Sequence, residues 1–188
     1  CHARCLWFGP HVPHGTVYVP VYVGARAVPP TYGTGSMARY ERTNAWWRHS
    51  RVANWAALKW SYMLRDIRTQ QAALEGSFFA SQPRVEADAA ALLAAGDAAA
   101  ARRLLAEHSQ AAADTTAGAW TALTEFLITK YNDGFINTPG DISRVGRPAG
   151  YPAWWLKAVG YGRFPQPSPE TCAAPAGAAD EGGAAEVG

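Results

Sequence analysis

The chain has 188 residues, 48% of them hydrophobic, which is enough for one sizeable core and sets the expectation of a single domain. A formal net charge of +2 excludes the strong basic excess of a dedicated nucleic-acid binder and points to no acidic partner. No apolar run reaches the roughly 18 residues of a membrane-spanning helix, so no membrane association is expected.

The opening, C-H-A-R-C-L-W-F-G-P, lacks the basic region, apolar run and cleavage site of a secretory signal. It also lacks an initiator Met and therefore reads as a processed chain or a fragment. Cys1, Cys5 and Cys172 are too few for a disulfide scaffold and do not fix a compartment. Leu6-Trp7-Phe8 and the Val/Tyr-rich stretch Thr16 to Gly24 suit a pleated surface and predict two strands joined by the loop His11 to Gly15. Pro20 removes a ladder donor and predicts a break, a bulge or a sheet edge. Two strands alone are marginal in water, and the rest of the sequence offers no obvious partner strand. Pro29 to Tyr40 reads as a loop.

Asn44 to Gln71 lacks Gly and Pro and places His49, Val52, Ala56, Trp60, Met63 and Ile67 at steps of three or four, the apolar stripe of one long helix capped by Thr43 or Asn44. Each large side chain buried there is worth roughly 1.5 to 3 kcal/mol, so losing Trp60 should cost more than losing any surface charge. Gly76 interrupts the pattern, Phe78 and Phe79 should pack down, and Pro83 suits the first turn of a new helix ending at Gly96. Asp97 is placed to cap a short helix from Ala98 to His108, and Ser109 to Tyr131 forms the next, with Trp120, Leu123, Phe126, Leu127 and Lys130 at core spacing. Asn132-Asp133-Gly134 stops it, Phe135 to Gly150 is irregular, and Pro152 opens a last helix from Ala153 to Val159. Beyond Phe164 almost nothing can be buried, so residues 165–188 are expected to be a disordered Ala/Gly/Pro-rich tail.

A cysteine at a free N-terminus can act as a nucleophile with its own amine as base, which makes Cys1 a candidate. No Thr/Ser-rich or Gly-rich strand follows it. Cys1, Cys5, His11 and His14 form a C-x3-C-x5-H-x2-H array of zinc-ligand types, although its spacing is tighter than that of common zinc modules. A zinc-binding or protein-interaction module is therefore the alternative to an enzyme. His49 lies on the apolar stripe, where a hydrogen-bonded core histidine is the ordinary outcome. His108 would sit at a helix C-terminus, where the dipole favours a cation. Arg and Trp interleaved from Arg48 to Lys59 could stack on nucleic acid, but a solvated helix face accounts for them. No G-x-S-x-G, H-E-x-x-H, C-x-x-C or phosphate-binding Gly loop occurs.

Several stretches taken together resemble the C-terminal portion of the dipeptidase D family, cysteine hydrolases of the N-terminal nucleophile class. They are Leu6-Trp7-Phe8-Gly9, Val17 to Tyr22 with Gly24, Val28-Pro29 and Tyr32. They continue through Ala45-Trp46-Trp47, Val52 to Trp55, Leu58 to Met63, Asp66-Ile67, Gln82-Pro83 and Val85-Glu86. Lys130 to Gly134, Gly150-Tyr151-Pro152 and Trp154-Trp155 complete the set. Ser50 departs from the Asn usual in the family, and Cys1 to Cys5 replace the lead into the Trp-Phe-Gly strand.

The resemblance implies an α+β fold: N-terminal strands belonging to an αββα sheet stack, then a mainly helical body, with residues 1–164 forming the C-terminal portion of the hydrolase domain. It implies hydrolysis of dipeptides without metal or other cofactor. The nucleophilic Cys is expected upstream, since Cys1 falls where the family is already in its middle, and this chain alone is expected to be inactive. Dipeptide substrate is the expected partner of the full-length protein, and homo-oligomerisation stays open.

Overall fold

The structure is a computed structural model that describes residues 4–161; Cys1, Cys172 and the expected tail lie outside them. The protein is a mixed α+β chain dominated by helix, with two small antiparallel sheets. Two compact units are present, one ending at Gly150 and one beginning at Tyr151.

The two N-terminal strands form as their composition dictates. β1 (Cys5–Phe8) pairs antiparallel with β2 (Val19–Tyr22), and Trp7 faces Pro20. The Val23 amide donates to the Arg4 carbonyl in the same register, so the pairs that exchange hydrogen bonds fall on Leu6–Val21 and Phe8–Val19. Pro20 thus turns the place of its missing N–H to the outer edge of β2, which no strand pairs among the described residues, so β2 runs unbroken and the sheet-edge alternative holds. The ribbon is stabilised by helices rather than by more strands: Val19 is fully buried in the main core, and Tyr22 joins a second cluster. Both strands are edges of this two-stranded ribbon, and β1 is the more exposed of the two. Its far edge has no pairing partner among the described residues, and Leu6 and Phe8 are 54% and 40% exposed.

Pro29 to Tyr40 contains one helical turn, α1 (Pro30–Gly33). α2 (Ala45–Ala56) starts at Asn44, whose Oδ1 accepts from the Trp47 amide at 3.2 Å and whose Nδ2 donates to the Thr34 carbonyl. The single long helix expected to Gln71 is instead two. Ala57-Leu58-Lys59 turns the chain, and α3 (Trp60–Ala94) begins after it. No Gly or Pro marks this break. Lys59 adopts φ −146°, is buried, and donates from Nζ to the Gly150 carbonyl at 3.0 Å, so tertiary contacts redirect the backbone. Trp60, expected in the core, is 40% exposed as a result, while His49, Val52, Ala56, Met63 and Ile67 are buried.

The opposite correction applies further on. α3 passes through Gly76 and Pro83, so no new helix starts at Pro83. Pro83 cannot donate to the Phe79 carbonyl, a loss of about 3 kcal/mol in an isolated helix, and packing along α4 overrides it. Phe78 packs down as expected, but Phe79 is 56% exposed and meets Trp7 with ring centroids 4.2 Å apart. α3 ends in a Schellman motif: Gly96, at φ +84°, donates to Leu93, and Asp97 donates to Leu92. Asp97 also caps the next helix, accepting from the Ala100 amide at 2.8 Å.

That helix, α4 (Ala98–Lys130), runs continuously where two were expected. His108 is therefore mid-helix, and the helix-dipole explanation for it fails. α2, α3, α4 and β2 enclose the main core, which contains Val17, Val52, Met63, Ile67, Leu74, Phe78, Trp120 and Leu127. At the far end of the α3–α4 hairpin a smaller cluster joins Tyr22, Ala89, Ala101 and Leu105. α4 stops at Tyr131, before Asn132-Asp133-Gly134, as its turn chemistry requires. Within 135–150 lies a minimal hairpin, β3 (Phe135–Ile136) with β4 (Arg147–Pro148). The second unit contains α5 (Ala153–Ala158), in which the Tyr151 and Trp155 rings stack at 5.1 Å.

Candidate functional site

The most connected polar group in the first unit lies where the start of α3 meets the end of α4. Asp66 stands on the second turn of α3, and Lys130 is the last residue of α4, where the helix dipole favours a cation. Lys130 Nζ donates to both Asp66 oxygens at 2.9 Å, and the Tyr131 hydroxyl donates to Asp66 Oδ2 at 2.6 Å. The same hydroxyl lies 3.2 Å from the Tyr62 carbonyl, but its one proton goes to the shorter, charge-assisted contact. Lys130 Nζ also sits over the Phe126 and Tyr131 rings at 5.1 and 5.3 Å. Burial first, and then the Asp66 carboxylate, push the Tyr131 phenol well above its ordinary value, so it stays protonated at neutral pH.

Beside this group opens a cavity of about 380 Å³ lined by Asp66, Thr69, Gln70, Ala119, Leu123 and Phe126. Asp66 faces it already engaged by Lys130 and Tyr131, and Tyr131 is no base at neutral pH. The arrangement clamps two helices together; it offers no activated nucleophile.

The residues singled out from the sequence are not assembled around this clamp. Cys1 lies outside the described residues. Cys5, opposite Tyr22 on β1, is a free thiol whose pKa is raised by burial and then by the Glu86 carboxylate. A thiol so placed is a poor nucleophile. His11 rests edge-on against Trp46 at 5.5 Å and His14 against Trp60 at 4.4 Å, while Cys5 packs with the far-end cluster. Among the described residues no three His, Cys, Asp or Glu side chains gather as metal ligands, so Cys5, His11 and His14 do not form the array that their spacing suggested.

His49 is the core histidine its position implied. Its Nδ1 donates to the Ala45 carbonyl at 2.7 Å and its ring stacks on Trp120 at 5.2 Å. Burial holds its pKa down to about 4, with His11 and Arg48 pushing the same way. His108 lies 6.1 Å from the Tyr22 ring, its pKa lowered by burial.

Sequence reasoning missed the Asp66–Tyr131 bond. No local signal could have found it, because the pairing of Lys130 with a carboxylate on the facing helix is set by the hairpin geometry. No protein-family model, curated protein or solved structure matches the chain.

Proposed function

We propose that this chain is the C-terminal portion of a dipeptidase D-like cysteine hydrolase: a scaffold that supplies the closing strands and one helical layer of an αββα stack, with the reactive thiol contributed by upstream sequence. The observation that carries this reading is β1. It is the more exposed edge of a two-stranded ribbon, apolar in sequence (C-L-W-F) and unpaired on its far side among the described residues, while β2 packs its side chains into the helical core. An open, hydrophobic edge is a template for the next strand, and a stable domain covers it.

The residues behind the resemblance support the same reading, because they meet one another. Asp66 binds Lys130 and Tyr131, Lys59 binds the Gly150 carbonyl, and Val17 and Val19 share a core with Val52, Met63 and Ile67. Within the hydrolase these groups hold shape and do not touch the scissile amide. The chemistry is attack of an N-terminal thiolate on the dipeptide carbonyl; the C–N bond breaks as the terminal amine, having taken the thiol proton, passes it to the departing amino acid, and water then cleaves the thioester to release the second.

The test is to sequence the gene upstream of the Cys1 codon and assay the longer product on a panel of dipeptides. A Cys-Thr or Cys-Ser start about one domain earlier, with thiol-dependent and chelator-resistant hydrolysis, is the expected result. An initiator Met directly before Cys1, or a longer product inert toward dipeptides, would overturn the proposal.

A further inference from the structure

We propose that the groove between the start of α2 and the last third of α4 is a binding site for a small phosphate-type dianion. It is a cavity of about 270 Å³ lined by Arg42, Thr43, Arg48, Arg51, Thr121 and Thr124. Three arginines thus line one hollow in a chain whose net charge is only +2. None of the three is ion-paired with a carboxylate among the described residues; the four ion pairs there belong to other side chains. Arg51 donates to the Tyr40 hydroxyl at 2.9 Å, a neutral acceptor that leaves its charge uncompensated.

Like charges brought together without counter-charge repel, so the hollow is suited to an anion. The planar fork of Arg donates in pairs to phosphoryl oxygens. Thr43 directly precedes the Asn44 cap, so the cavity also lies beside the first turn of α2, where backbone amides carry partial positive charge.

The threonines refine the ligand class. Thr121 and Thr124 spend their hydroxyl protons on the Ala117 and Trp120 carbonyls, each at 2.8 Å. Their oxygens therefore accept rather than donate, and they suit a ligand that retains a hydroxyl, as hydrogen phosphate or a phosphate monoester with a neighbouring hydroxyl does. Sulfate has none. No residue lining this groove belongs to the stretches that carry the hydrolase resemblance, so the site stands or falls separately from that reading.

Titration of the 188-residue chain with inorganic phosphate at constant ionic strength, followed by calorimetry and thermal unfolding, tests the proposal. Saturable binding is expected, stronger for phosphate than for sulfate, acetate or succinate, and at least about tenfold weaker in Arg42→Gln and in Arg48→Gln. Both variants should unfold at the wild-type temperature without phosphate, which separates lost binding from lost folding. Equal effects of phosphate and chloride, tighter binding of succinate, or unchanged phosphate affinity in both variants would overturn the proposal.

Discussion

The two ends of the α3–α4 hairpin solve the same packing problem differently. At the end near the α2–α3 turn, large side chains fill the interface: Met63, Ile67, Leu74 and Phe78 from one helix and Trp120, Leu123 and Leu127 from the other. At the far end Ala89 and Ala101 are almost fully buried, with Leu105 and Tyr22 beside them. Alanine lets backbones approach closely and leaves no room for growth, whereas the near end depends on volume. The polar connections also differ. The near end has the Asp66–Lys130–Tyr131 clamp, and the far end has a Schellman turn and the Tyr22 hydroxyl, which donates to Glu86 at 3.3 Å. One end thus fixes the site region, and the other mainly fixes the turn.

The near end is most vulnerable at Trp120. It is fully buried, so Trp120→Ala should cost about 3 to 5 kcal/mol in urea unfolding, the largest single effect. Next comes acid. His49 binds a proton in the unfolded chain near pH 6.5 but in the fold only near about 4, so its contribution is fully present above 6.5 and is lost as pH falls through that window. The loss is on the order of 3 kcal/mol and belongs to the near end; His11 and His108, also lowered, add the same sign. His49→Gln should flatten the pH dependence of stability between pH 7 and 5, and an unchanged slope would show that other groups carry it.

Ala101→Leu should cost about 1 to 3 kcal/mol by overpacking, a penalty the near end would not show for Leu123→Met. Asp66→Ala should cost about 1 to 3 kcal/mol, because it leaves the partly buried Lys130 ammonium without its carboxylate, while the Tyr131 phenol can still turn to the Tyr62 carbonyl. The smallest effect is expected for Trp60→Ala, below about 1 kcal/mol, since the ring is 40% exposed against His14.

Some of these features were legible in the sequence, because their signals are local. Asn44, Gly96, Asp97 and Asn132-Asp133-Gly134 each act within a few residues, and each marks a true helix end. The strands were legible from their Val and Tyr content. Helix continuity was not, because Gly76 and Pro83 signal breaks that the long α3–α4 interface overrides, while the turn at Ala57-Leu58-Lys59 carries no breaker and follows from Lys59 reaching Gly150. The clamp joins residues 64 and 65 positions apart, a distance no periodicity spans. Arg48 and Arg51 of the α2 groove read as a solvated face until α4 supplied its other wall.

The central claim is that β1 is an interior strand of a larger hydrolase, and Leu6→Lys tests it most directly when placed in both the 188-residue chain and the longer gene product the proposal requires. In the short chain Leu6 is 54% exposed, so stability should change by less than about 1 kcal/mol. In the longer product the buried charge should abolish folded yield and dipeptide hydrolysis together. A longer product that carries Leu6→Lys and remains stable and fully active would contradict the account.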